Sequence, residues 1–429
     1  MKGLIFTAVL TLTTVTLYAQ TAREELDANP NRSASCYYAY PEPVGVKYTP
    51  APKGYKPCYM SHYGRHGSRF LLGDRDYDQP LSVLMRADSL GRLTPRGKKM
   101  LKDVMLMREE SRNRIGELTP LGAQQHRNIA RRMARNFPEI FAGKAHVDAR
   151  STMVIRCILS MDNEMQELVR MNPQLSVSTD ASAHDLWYMC ADDKPLQDLR
   201  NDKDALSKLD AFKESRTINS NIYHTLFTDS TNLFVNLSAH RFYYLLYQLG
   251  GDIQNTEYHN KMSFFDIFNK DEIYNFWLRN NASWYYHYAG CTLSGNQQYS
   301  QRFLLRKIIE QADSCLLLDI PGATMRFGHD TMIMPLVNLM NINGYGLRTD
   351  NLNDLITKDW ADYRIFPMAA NLQLIFYRRN KKDKDILVKV LLNEREATLP
   401  IQTDRAPYYH WNQVKAYYLK MLNDYQSQK

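Results

Sequence analysis

The sequence predicts a three-layer α/β/α core with a central, mostly parallel sheet, interrupted by a mainly α-helical insertion. Strand-like apolar runs alternate with helical periodicity at both ends of the chain, from Tyr55 to Glu167 and from Ala323 to Leu392. Between residues 170 and 300 the pattern becomes helical, aromatic and loop-rich. The 429-residue chain is 44% hydrophobic and 23% charged, so it has ample material for a core carrying a large insertion. The expected division is 1–19 as a signal peptide, 20–165 with 300–429 as the α/β core, and 166–299 as the helical cap.

Lys2 supplies a positive n-region, Leu4–Leu17 an apolar stretch and Leu17-Tyr18-Ala19 a cleavage site, which marks an exported chain, periplasmic or secreted. The stretch is short for a membrane span and broken by threonines, so no stable span is expected after cleavage. Residues 20–53 are polar and dotted with proline, an arm wrapping the domain. Apolar character rises from Tyr55 into a first strand ending near Tyr63. Helices are expected over 97–114 and 121–136. Thr119 and Pro120 give the second an N-cap and a first-turn proline, and Thr94-Pro95 repeats that signal before the first. Ala145–Val147 reads as a short strand, followed by helical periodicity from Arg150 to Glu167. Trp284-Tyr285-Tyr286-His287-Tyr288 in the insertion reads as packing. Strand signals return at Ala323–Phe327, Leu372–Phe376 and Ile386–Leu392.

The string Arg65-His66-Gly67-Ser68-Arg69 follows the first strand, where active-site loops of open α/β sheets lie. Two guanidiniums are planar, permanently charged donors that match phosphate oxygens. An imidazole between them can attack phosphorus and carry a phosphoryl group, and the glycine is expected to let the backbone turn tightly. Arg150 and Arg156, six positions apart, cannot share a helix face, so one of them is expected outside the site. Arg326-Phe327-Gly328-His329-Asp330 follows another strand, with His329 a donor to phosphate and Asp330 a general acid for the leaving oxygen.

Taken together, Arg65–Arg69, Arg150-Ser151 through Arg156 and His329-Asp330 resemble the motifs of the two-histidine branch of the histidine phosphatases, the histidine acid phosphatases. Flanks such as Gly116-Glu117-Leu118-Thr119-Pro120-Leu121-Gly122, Phe327-Gly328-His329 and Leu392-Asn393-Glu394 are most similar to the multiple inositol polyphosphate phosphatases and phytases. Leu71 stands where the family often has proline, and His-Asp-Thr stands where the inositol-phosphatase branch usually has His-Ala-Glu. The resemblance implies an exported phosphomonoesterase acting on phytate or related inositol polyphosphates. In it, His66 is the nucleophile, Arg65, Arg69, Arg156 and His329 bind phosphate, and Asp330, starting protonated, is the acid. It implies no metal or other cofactor, because the arginines take the electrostatic role.

A broad-specificity acid phosphatase is the alternative within this class, and a non-catalytic binder of phosphorylated ligands the alternative outside it. The net charge of +8 is dispersed rather than gathered into a stripe, which argues against nucleic acid. Gly91–Lys98 fails the phosphate-loop pattern in spacing and in Lys99. Cys36, Cys58, Cys157, Cys190, Cys291 and Cys315 are even in number and permit disulfides, but none are spaced as a zinc site. His62 and His126 read as structural histidines.

Overall fold

Residues Tyr59–Arg65 are buried without alternation, which places Lys56–Arg65 in the middle of a sheet covered on both faces. The computed structural model describes residues 20–190, 193–216 and 222–427; the signal peptide expected over 1–19 lies outside the described residues. Its strands are β1 (Lys56–Arg65), β2 (His146–Ser151), β3 (Ser176–Asp180), β4 (Gly290–Cys291), β5 (Gly322–Gly328), β6 (Arg348–Thr349), β7 (Asn371–Arg378), β8 (Leu387–Leu392), β9 (Arg395–Ala397) and β10 (Tyr408–His410). The main sheet has the order β10-β8-β7-β1-β5-β2-β3, with β9 on β8. Strands β1, β5, β2 and β3 run parallel, and β7, β8 and β10 continue antiparallel from β1. Arg65 pairs with Gly328 and Ser151 with Phe327, so three parallel strands end level with one another. The loops after them meet at one edge, which is where a ligand site is expected.

One face of the sheet presents Tyr59, Tyr63, Leu372 and Leu374 to Trp277, Tyr285, Ile333 and Met334. The other presents Met60, Ala149, Met325 and Phe327 to Ile129, Met133 and Met165. A third apolar cluster joins Tyr77, Leu84, Met100 and Val104 to Phe227, Phe242, Tyr247 and Phe276. The helices Asp74–Ser89 and Pro95–Glu110 therefore pack with the helical insertion although they precede it in sequence. The expected boundary at residue 165 falls inside the helix Ile155–Met171, and β3 beyond it still belongs to the sheet.

Both threonine caps form, with Thr94 Oγ1 accepting from the Gly97 amide at 3.0 Å and Thr119 Oγ1 from the Gly122 amide at 3.2 Å. Arg150 differs from expectation. It lies in β2, which runs on to Ser151, and helix begins only at Ile155. Among the described residues Cys36, Cys58, Cys157, Cys291 and Cys315 are free thiols, and no helix is long and apolar enough to cross a membrane. Tyr285 and Tyr286 of the aromatic run are fully buried in the helix Lys270–Tyr288, as packing residues.

Candidate active site

The Arg65–Arg69 loop is held by backbone contacts that leave no room for side chains. The amide of Arg65 donates to the Ala370 carbonyl at 2.8 Å and that of His66 to the Gly328 carbonyl at 2.9 Å. Gly67 does not occupy the left-handed region, so the tight turn expected of it is not its reason. A Cβ there would lie 2.5 Å from the Gly122 carbonyl oxygen, and one on Gly122 would collide with the Ser68 carbonyl. The loop and the first turn of the helix Pro120–Asn136 thus meet backbone to backbone, which is why Leu-Thr-Pro-Leu-Gly accompanies the Arg-His-Gly string. Thr119 completes the join, its amide donating to Ser68 O at 2.9 Å and its hydroxyl at 3.2 Å. The next two loop amides are also held. Gly67 N donates to Ser160 Oγ at 3.1 Å and Ser68 N to Gln125 Oε1 at 2.9 Å.

His66 is buried, and its Nδ1 lies 3.0 Å from its neighbour's carbonyl, Gly67 O. A carbonyl only accepts, so Nδ1 carries the proton and Nε2 keeps its lone pair. Burial, reinforced by Arg65, Arg69 and Arg156, holds this imidazole far below its ordinary value. It is therefore neutral and ready to attack. His329 stands across from it, ring centroids 5.8 Å apart. Burial and the same arginines lower His329 to about 4 against the pull of Asp330, and the Thr152 hydroxyl lies 3.1 Å from its Nε2.

Arg65 is fully buried and fixed by three acceptors: Phe366 O at 2.6 Å, Cys36 O at 2.7 Å and Asp330 Oδ2 at 2.6 Å. Arg69 lies over the Tyr37 ring at 4.9 Å and donates to Phe70 O at 3.0 Å. Arg156, in the first turn of Ile155–Met171, is half-buried, its nearest acceptor being Gly116 O at 3.5 Å. Among the described residues neither Arg69 nor Arg156 has a carboxylate within ion-pair distance, so their charge is open to a ligand. Arg150 is the opposite case, paired with Asp148, Asp180 and Asp185. The structure thus brings Arg156 to the cluster and leaves Arg150 out.

Asp330 opens the helix Asp330–Leu339, with its Oδ1 accepting from the Thr331 amide at 2.8 Å. Burial would raise its pKa, but Arg65 and Arg69 outweigh burial and hold it below the usual carboxylate value. Asp330 is therefore a carboxylate, which differs from the expectation that it starts protonated. His62 and His126 lie outside the cluster, as read. His62 is a buried β1 side chain held near 3 by burial. His126 Nδ1 meets Glu164 Oε1 at 2.6 Å, both side chains fully buried.

Sequence reasoning missed the part played by the arm. The 3₁₀ segment Pro30–Tyr37 delivers the Cys36 carbonyl to Arg65 and the Tyr37 ring to Arg69. Its anchor is Ser35, at φ +57° and hydrogen-bonded to the buried Asp362. A non-glycine residue in the left-handed region signals local constraint, but no pattern in the sequence places it beside the catalytic loop.

Residues 65–393 match the histidine phosphatase superfamily (branch 2). The chain is 24% identical, over 331 residues, to multiple inositol polyphosphate phosphatase 1 of Gallus gallus, covering 74% of this chain and 71% of that one. In fold it is similar to the Bifidobacterium longum multiple inositol polyphosphate phosphatase solved with inositol hexasulfate. That match has a TM-score of 0.73 at 18% identity, over 90% of this chain and 97% of the other. The phytase from D. castellii is similar with a TM-score of 0.65 at 15% identity, over 92% and 86% of the two chains.

Proposed function

The chain belongs to branch 2 of the histidine phosphatase superfamily, whose members are phosphoric monoester hydrolases, and we propose that it hydrolyses inositol polyphosphates through a phosphohistidine on His66. One observation carries the chemistry: a neutral, buried imidazole with Nδ1 tied to Gly67 O, ringed by arginines of which two have no carboxylate partner among the described residues. The substrate class rests on the similarity to inositol polyphosphate phosphatases and phytases. Export follows the signal-like residues 1–19.

The phosphoryl oxygens are held by Arg65, Arg69, Arg156 and His329, which also take up the charge spread in the transition state. His66 Nε2 forms the bond to phosphorus as the bond to the ester oxygen breaks. The arriving phosphate adds negative charge beside Asp330 and competes with it for Arg65, and both effects raise the carboxyl pKa. Asp330 takes up its proton in the complex and gives it to the leaving alkoxide. The resulting carboxylate then accepts a proton from the water that attacks the phosphohistidine, releasing phosphate and restoring neutral His66.

The test is inorganic phosphate released from phytate at mildly acidic pH with chelator present, by wild type and His66→Ala. Release by wild type alone supports the reading. No release from phytate removes the inositol-phosphate assignment, and equal release by the variant removes His66 as nucleophile.

A further inference from the structure

At the end of the sheet opposite the catalytic loops, the segment joining the helix Arg302–Leu316 to β5 exposes three aliphatic side chains within four residues. Leu317 is 81% exposed, Leu318 52% and Ile320 56%. Isolated exposed leucines need no explanation, but a contiguous apolar tip does. This one is built into a basic frame. Arg378, the last residue of β7, donates to the carbonyls of Leu316 at 3.3 Å, Leu318 at 3.4 Å and Asp319 at 2.9 Å. Lys381 pairs with Asp319. Lys53, Lys56, Arg379, Lys381, Lys382 and Lys384 are exposed around the tip, on the loop entering β1, the first residue of β1 and the turn leaving β7.

The acids of this end are each paired, and Asp319, within the tip, keeps a side chain that is 74% exposed. The side chain of Asp383 is 5% exposed and is held by Arg379. Asp385 accepts from Tyr55 at 2.6 Å and faces His410, and Asp319 is taken by Lys381. Among the described residues Lys53, Lys56, Lys382 and Lys384 form no ion pair.

We infer that this end of the molecule docks on an anionic lipid bilayer, with Leu317, Leu318 and Ile320 entering the headgroup boundary and the lysines on the surrounding phosphates. The three side chains sit on an exposed turn. A bilayer accepts aliphatic side chains without shape matching, and lysine stems can lie along the apolar surface with their ammonium groups in the headgroup layer. β1 and β5 run away from this end towards Arg65 and Gly328, so a docked molecule holds the catalytic loops away from the surface, open to soluble substrate.

The test is vesicle co-sedimentation of the full chain with saturating inorganic phosphate, so that the catalytic arginines are occupied. Phosphatidylcholine vesicles are compared with vesicles in which about one lipid in three is phosphatidylglycerol; the expected partition onto the anionic vesicles is at least about tenfold higher and falls with salt. Leu317→Ser/Leu318→Ser/Ile320→Ser and, separately, Lys382→Glu/Lys384→Glu should each cut that partition about tenfold or more, with kcat/KM on p-nitrophenyl phosphate unchanged as the check of folding. In the otherwise intact chain, Leu317→Trp should show a blue shift of its emission on the anionic vesicles. Equal partition onto both vesicle types overturns the inference, as does absence of binding. Retention by the serine variant with loss only in the glutamate variant also overturns it, because that pattern describes a soluble polyanion or an acidic protein face rather than a bilayer.

Discussion

Asp330→Asn separates the two things the Asp330 carboxylate does. The substitution keeps the shape and an acceptor toward Arg65 but removes the charge and the transferable proton. The pair is 2.6 Å long, with side-chain exposures of 0% for Arg65 and 12% for Asp330. Removing one partner of a buried pair outright costs about 3–5 kcal/mol. Arg65 here keeps the Phe366 and Cys36 carbonyls as well as the new amide oxygen. The expected loss is therefore nearer that of one charged hydrogen bond, about 1.5–3 kcal/mol. Because the folded-state pKa of Asp330 is depressed, its contribution is present above the ordinary value of about 3.9 and is lost as the pH falls through the folded value. The stability gap between wild type and variant should accordingly close only below about pH 4. The chemical loss is larger and depends on the leaving group. Proton donation to an alkoxide is worth about 10²–10⁴-fold, whereas p-nitrophenolate leaves with little help and should lose less than about tenfold. The comparison is made on kcat/KM for an inositol monophosphate and for p-nitrophenyl phosphate, which covers the steps up to release of the alcohol and not hydrolysis of the phosphohistidine, at a temperature where both proteins are folded. Equal losses on the two substrates would refute the assignment of Asp330 as the acid.

Arg156→Ala should lower kcat/KM by about 10–100-fold, the worth of one charged hydrogen bond, and weaken the protection that inorganic phosphate gives against thermal unfolding. Arg150→Ala, which breaks only contacts to Asp148, Asp180 and Asp185, should leave both unchanged within error; a comparable loss there would reverse the choice between the two arginines. Gly122→Ala puts a methyl group against the Ser68 carbonyl, and overpacking of this kind costs about 1–3 kcal/mol. Its activity loss should exceed its stability loss, because the clash falls on the catalytic loop, and a fully active Gly122→Ala protein would contradict the close approach. Burial and the arginines keep His66 uncharged, so kcat/KM should show no acid limb at the ordinary histidine value of about 6.5. A limb there that persists in a His329 variant would mean that His66 protonates normally. Its linkage runs the same way. The unfolded imidazole binds a proton below about 6.5 and the folded one does not, so this residue's share of stability falls as the pH drops from 6.5 toward the folded value.

Much of the site could be read from local patterns, because each motif sits directly after a strand and strand ends converge in an α/β sheet. Arg65, His66, Arg69, His329 and Asp330 needed only β1 and β5 to be neighbours. The choice of Arg156 over Arg150 needed the resemblance, since spacing alone showed only that one of them lies outside. The helical periodicity from Arg150 does not place the strand–helix boundary, because Arg150 and Ser151 extend β2, where pairing with β5 overrides it. Gly67 is required by a long-range approach to Gly122 and not by the tight turn that the local pattern predicts, and no local window contains that approach. The polar, proline-dotted composition of the arm predicts only a wrapping segment, and its Cys36 carbonyl and Tyr37 ring contribute through contacts that follow only from tertiary placement. The protonation of Asp330 was also beyond the motif, since it depends on whether Arg65 points at the carboxylate.

The covalent step can be trapped. A radiolabelled phosphomonoester mixed with enzyme, quenched within a turnover under alkaline conditions and digested, should yield a base-stable, acid-labile phosphoryl group on the peptide carrying His66, accumulating most in Asp330→Asn with p-nitrophenyl phosphate as substrate. Label on another residue, or steady turnover by His66→Ala with no labelled peptide, would contradict a phosphohistidine on His66.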